Sequence, residues 1–110
     1  MESATGIRSA VGWRKVGDVV ELMEAAVLLG NGGQRGGAAM IAALARRMAE
    51  ARQKHPVFAE GKYHALGVIG AEYEELVRAV ERETPERVRD EALDVAVTAL
   101  RLWAGEEICL

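Results

Sequence analysis

The sequence predicts an all-α fold: a small bundle of about four helices with antiparallel core helices, completed by oligomerisation. Three observations predict it. Half of the residues are hydrophobic but only 5% are aromatic, and Ala, Leu, Val, Glu and Arg dominate, a composition suited to helices. Apolar residues recur at spacings of three and four through separate segments, which are divided by a glycine-rich stretch, by Pro56 and by Thr84-Pro85. At 110 residues the chain is about one domain, 1–110, whose small core would gain from burial at a subunit interface.

Residues 1–15 are polar, small and weakly patterned, and are read as a loose N-terminal lead-in. From Val16 to Leu29, Val16, Val19, Val20, Met23, Ala26 and Val27 form one stripe with Asp18, Glu21 and Glu24 off it, which predicts a helix. The stretch 30–37, GNGGQRGG, ends that helix. It follows a helix and lacks the Gly-Lys-Ser/Thr ending of a phosphate loop, so it reads as a flexible linker.

A second helix spans Ala38 to His55, with Ile41, Leu44, Ala45 and Met48 inward and Arg46, Arg47, Glu50 and Lys54 outward. Pro56 stops it, because the residue before proline is pushed out of helical dihedrals. Val57 to Tyr63 reads as an ordered loop in which Phe58 and Tyr63 are too large and apolar to float in solvent. They either plug the end of the bundle, with His55 and His64 as solvated helix-end residues, or stack on a base while Lys62 meets phosphate oxygen.

The third helix runs from about Ala65 to Glu83, its core stripe formed by Ile69, Tyr73, Leu76 and Val80. Glu72 and Glu75, three apart, lie on the flank of that stripe, about 60° from each other around the helix. Thr84 is a good N-cap and Pro85 is favoured at the first helical position, so a fourth helix starts there and runs to about Ala104. Only a tight turn separates the two helices. They are expected to pack antiparallel, bringing Glu72 and Glu75 to the level of Glu91 and Asp94.

The fourth helix carries the chemistry. From Ala92 to Ala104 only Asp94, Thr98 and Arg101 are not apolar, so Asp94 sits in a segment expected to be buried. A buried carboxylate must be paired, protonated or bound to a cation. One solution is a salt bridge, from Asp94 to Arg101 or to an arginine on a neighbouring helix. The other follows from two carboxylate pairs facing each other: four acids repel unless a cation lies between them, and an all-oxygen set suits magnesium. No histidine stands three residues after any of these acids, against a ferritin-like di-iron site, and zinc lacks its nitrogen and sulfur ligands.

The net charge of -3 argues against nucleic acid as a partner. Cys109 is the only cysteine, which excludes an intrachain disulfide and a cysteine-rich zinc site. No apolar run is long enough to span a membrane and no signal-peptide pattern is present, so the expected location is cytoplasmic with no membrane partner.

The pattern E-x-x-E, 15 intervening residues, then E-x-x-D, as Glu72, Glu75, Glu91 and Asp94, resembles the signature of the MazG-like all-α nucleoside triphosphate pyrophosphohydrolase superfamily. AEYEEL is similar to that family's glutamate-rich second core helix and DEALDVAVTALRL to its third, the likeness covering about 38–104. The position before Glu72, where many members carry a further glutamate, is Ala71, which bears on the number of metal ions held.

The resemblance implies hydrolysis of a nucleoside triphosphate to the monophosphate and pyrophosphate. Mg2+, or Mn2+ in its place, would be held by Glu72, Glu75, Glu91 and Asp94, with one glutamate serving as base. Arg101, Arg87 or Arg89, with Lys62 or Lys54, are the candidates for the phosphate tail, and Phe58 and Tyr63 for the base. It also implies a homodimer or homotetramer. The alternatives are a non-catalytic helical protein-interaction module, its acids engaged in salt bridges, and a nucleotide-binding protein without turnover.

Overall fold

The computed structural model describes residues 16–30 and 35–107. The lead-in up to residue 15, the middle of the glycine-rich linker and Cys109 lie outside the described residues. The described residues form four helices, α1 (Val16–Leu29), α2 (Gly37–Lys54), α3 (Lys62–Arg82) and α4 (Pro85–Trp103), and no strand. None of these helices is long and apolar enough to cross a membrane. Two compact units divide the chain, Met1–Ala42 and Ala43–Leu110, the boundary falling inside α2.

In the first unit, α1 ends at Gly30, whose N–H donates to the carbonyls of Ala26 and Val27 at 3.1 and 3.2 Å. The buried Gly37 opens α2 against Ala26, where a Cβ would stand 1.6 Å from the Ala26 carbonyl oxygen. Only glycine allows that approach. The expected α1 stripe is not buried: Val19, Val20, Met23 and Val27 are all about half exposed or more, and only Ala25 and Ala26 are partly covered. The contact is made by the smallest side chains, which leaves the larger ones outside.

In the second unit, α3 and α4 are joined by Glu83 and Thr84 alone and therefore run antiparallel. Thr84 caps α4 as its sequence suggests, its hydroxyl accepting from the Arg87 N–H at 3.3 Å, with Pro85 at the first helical position. The contact line of α3 runs through Ala65 and Ala79, both fully buried, with Val68 packed against the core formed by Phe58, Ala59 and Ala65. It shares Ile69 and Leu76, both half-buried, with the expected stripe. Its other two members face outward: Tyr73 and Val80 are 58% and 63% exposed, because the alanines let the two helices approach closely and draw the contact toward Ala65 and Ala79.

Residue 61 starts α3 with φ +118°, a conformation that glycine adopts freely, and its N–H donates to the Glu107 carbonyl at 2.9 Å. This ties the start of α3 to the segment after α4. That segment is a Schellman turn: Gly105 has φ +84°, its N–H donates to the Leu102 carbonyl, and the Glu106 N–H donates to the Arg101 carbonyl. The turn aims Glu106 back at the helix it follows.

Arg101 closes this end of the unit. It is 3% exposed, and its Nε donates to Glu106 Oε1 at 2.6 Å. Its Nη2 donates to the His55 carbonyl at 2.9 Å and Nη1 to the Ala51 carbonyl at 3.4 Å, the second of which also accepts from the His55 N–H at 2.8 Å, where α2 ends. Its guanidinium also lies 5.0 Å from the centre of the Phe58 ring. One side chain thus joins the end of α2, the loop after it, α4 and the Schellman turn. Arg101→Ala would remove a buried guanidinium, leaving the His55 carbonyl without that donor and Glu106 with Arg52 alone, and is expected to lower the unfolding free energy by about 2 kcal/mol in chemical denaturation. Arg101→Lys, lacking the planar fork, is expected to restore only part of it.

Candidate functional site

The antiparallel pairing brings the middle of α3 beside the first half of α4. Glu72, Glu91 and Asp94 each offer a carboxylate oxygen, and these lie within 4.8 Å of one another. Glu91 is 4% exposed; its Oε2 receives the Arg87 guanidinium one turn back, while its Oε1 is buried with no hydrogen-bond partner. An anionic oxygen in that position is costly without a cation or a proton.

The charges act on one another. Burial raises the Glu91 carboxyl above its ordinary value of 4.5, the charge of Glu75 raises it further, and the charge of Asp94 and a side-chain contact with the Glu75 carboxyl add to this, against the opposing pull of Arg87. Burial likewise raises Glu72, reinforced by Asp94, Glu75 and Glu91 and opposed by Arg47. Carboxylates this close must share protons or hold a cation.

Beside the acids is a cleft of about 660 Å³. Its lining follows three helices in step. At one end stand Arg47, Glu72 and Asp94; about one turn further are Ala51, Val68 and Val97 with Thr98; beyond these are Lys54, His55, His64 and Arg101, with Phe58. The eight residues from Glu72 back to His64 set a length of about 12 Å at about 1.5 Å per residue. The cleft is acidic at one end, apolar in the middle and rich in nitrogen at the other.

Of the residues expected to form a site, Glu72, Glu91 and Asp94 come together. Glu75 is exposed and outside that trio, though close enough to act on Glu91 and Glu72. Asp94 does form an ion pair, with an arginine on a neighbouring helix: Arg47 Nη1 is 2.5 Å from its Oδ1.

The basic and aromatic candidates are placed differently. Arg101 is committed to Glu106 and backbone carbonyls and is a structural clamp, because its donors face the protein and not the cleft. Arg87 is bound to Glu83 and Glu91, and Arg89 faces Glu86 at 3.7 Å. Lys54 lines the cleft and is exposed. Lys62 stands 5.3 Å over the Tyr63 ring, outside the cleft lining, and Tyr63 is 79% exposed, contrary to the expectation that its size would bury it. Phe58 is in the core, with Arg101 over its ring, and it also lines the cleft.

Sequence reasoning missed Arg47, which it set outward. Its guanidinium also donates from Nη1 to the Asp90 carbonyl and from Nη2 to Asp90 Oδ1, both at 3.2 Å. The available signal was the Arg46-Arg47 pair in an otherwise alanine-rich helix facing an acidic partner. His64 was also missed as a lining residue; its Nδ1 accepts from the Glu60 N–H at 2.9 Å, which turns the imidazole back over the start of α3.

Because Glu72 and Glu91 are raised, the folded chain retains protons that the unfolded chain releases as pH rises from about 4.5 through the raised values. Stability from this source is present at low pH and is lost toward neutrality. Glu72→Gln is therefore expected to raise the thermal midpoint of the metal-free protein at pH 7 by roughly 2–5 °C, with the difference from wild type narrowing below pH 4.5, measured by circular dichroism across pH.

Comparison with family models, curated proteins and solved structures returns no match, so the chemistry of this site rests on its own residues.

Proposed function

We propose that this chain is a magnesium-dependent nucleoside triphosphate pyrophosphohydrolase, cleaving between the α- and β-phosphates to release the monophosphate and pyrophosphate. The observation that carries the reading is the buried, unpartnered Oε1 of Glu91 beside carboxylate oxygens of Glu72 and Asp94. An all-oxygen donor set with an orphaned buried oxygen fits a hard divalent cation such as Mg2+ or Mn2+. Glu72, Glu91 and Asp94 would hold it. Bound there, such an ion supplies neutralisation of phosphate charge and a more acidic water.

The chain's own residues have the remaining tasks. Glu75, next to the trio and open to solvent, is positioned to take the proton of an attacking water. Ala51, Val68 and Val97 offer an apolar wall for the nucleoside, and Lys54 is a mobile point charge for a phosphate oxygen. The reaction itself comes from the resemblance of the Glu72, Glu75, Glu91 and Asp94 pattern to the MazG-like enzymes. The same resemblance suggests a homo-oligomer, whose second copy would cover the exposed Leu66, Tyr73, Val80 and Trp103. The reading places the protein in the cytoplasm.

One observation favours the non-catalytic alternatives: the Arg47–Asp94 ion pair already satisfies an acid of the site. An interaction module built on such pairs would show no specific response to magnesium, and a nucleotide binder without turnover would be stabilised by magnesium with nucleotide yet release no pyrophosphate.

With added pyrophosphatase and colorimetric detection of phosphate, wild type is expected to release pyrophosphate from at least one nucleoside triphosphate only when millimolar magnesium is present. Asp94→Asn is expected to reduce that rate on the order of 100-fold or more and to abolish the thermal stabilisation by magnesium. Absence of release from all standard and noncanonical triphosphates would remove the enzymatic reading.

A further inference from the structure

We propose that Arg47 is the resident counter-cation of this site and a phosphate-binding residue: it holds Asp94 in the metal-free protein, yields that carboxylate to a divalent cation, and then turns to the phosphate oxygens of the bound triphosphate. The inference rests on the reading of Glu72, Glu91 and Asp94 as a cation site.

The three carboxylates are not equally provided for. Glu91 has Arg87 and Asp94 has Arg47, whereas Glu72 has no ion pair among the described residues. The two arginines differ in what they can do. Arg87 reaches Glu91 along its own helix and is not part of the cleft lining. Arg47 comes from α2, lines the cleft, and places Nη1 2.5 Å from Oδ1 of Asp94, a carboxylate that a cation shared with Glu72 and Glu91 would need. Two cations drawn to one carboxylate repel each other, so Arg47 and the metal compete for Asp94.

Displacement does not leave Arg47 adrift. Its other contacts, to the Asp90 carbonyl and Oδ1 at 3.2 Å and to Glu50 at 3.6 Å, hold the base of the guanidinium on the rim of the cleft. Its side chain is 24% exposed. A triphosphate drawn into the cleft by the bound cation brings anionic oxygens to the place that Asp94 has vacated, and a planar guanidinium is the side chain best matched to two phosphate oxygens at once. The swap keeps Asp94 and Arg47 paired throughout: Arg47 with Asp94 before binding, metal with Asp94 and Arg47 with phosphate afterwards.

The test separates this role from the site it depends on. Calorimetric titration of the full chain with Mg2+ alone, then with inorganic tripolyphosphate at saturating Mg2+, is compared for wild type, Arg47→Ala, Arg47→Gln and Arg47→Lys. Arg47→Ala is expected to bind Mg2+ about 3- to 10-fold more tightly and tripolyphosphate about 10- to 100-fold more weakly. Arg47→Gln, which keeps an amide donor for Asp90, should behave alike and serves if the alanine variant does not fold. Arg47→Lys should keep wild-type Mg2+ affinity and lose part of the tripolyphosphate affinity. Unchanged or weaker Mg2+ binding in both neutral variants, or unchanged tripolyphosphate binding, overturns the role of Arg47 while leaving the cation site standing. Absence of Mg2+ binding in wild type and every variant overturns the site and the inference together.

Discussion

The second unit depends on one buried guanidinium. The Ala51 and His55 carbonyls at the end of α2, the Glu106 carboxylate and the Phe58 ring all converge on Arg101, whose guanidinium would be costly to bury without them. The Schellman turn at Gly105 makes the convergence possible by returning Glu106 along its own helix. Arg52 and then Arg101 hold the Glu106 carboxyl below its ordinary range, so the cluster is fully charged and mutually satisfied. Three segments meet there, and their registers are fixed relative to one another from that point.

The opposite end of the cleft has the reverse character. Two to three helical turns from Arg101, the same elements bring Glu72, Glu91 and Asp94 together with more negative charge than their arginines neutralise. A carboxylate cluster this crowded is a net cost to folding, and it persists because the clamp and the alanine contacts of α3 supply the compensation elsewhere. Arg47 moderates the cost without removing it, since Glu72 has no cation of its own and Glu91 keeps an unpartnered oxygen. Stability is concentrated at one end and ligand-ready charge at the other. That division is what a binding cleft between rigid elements requires.

Small residues at the contacts have a second consequence. Ala65 and Ala79 on α3 and Ala26 beside Gly37 bring backbones close, and the larger apolar side chains are left on the outer faces. Leu66, Tyr73, Val80 and Trp103 in one unit, and Met23, Val27 and Leu28 in the other, are exposed for this reason. The proposed homo-oligomer would draw its interface from such surfaces.

Helix existence, the Pro56 stop, the Thr84-Pro85 restart and the grouping of Glu72 with Glu91 and Asp94 were all legible in the sequence. They follow from local chemistry: apolar spacing, proline's missing donor, threonine's capping oxygen, and a turn too short for anything but antiparallel packing. The inward face of α3 was legible only in part, through Ile69 and Leu76 and not through Tyr73 and Val80. Close packing through alanine outweighed the size of Tyr73 and Val80, and helical spacing alone cannot rank a narrow stripe of small residues against a neighbouring stripe of large ones. The fates of the arginines were likewise tertiary. Arg101 shares a ridge with Asp94, yet its length and the position of the α2 carbonyls send it the other way, while Arg47, set outward by its own helix, reaches Asp94 from across the cleft. Charge type and spacing are properties of the chain, but a long flexible cation finds its partner only once the helices that carry it are packed.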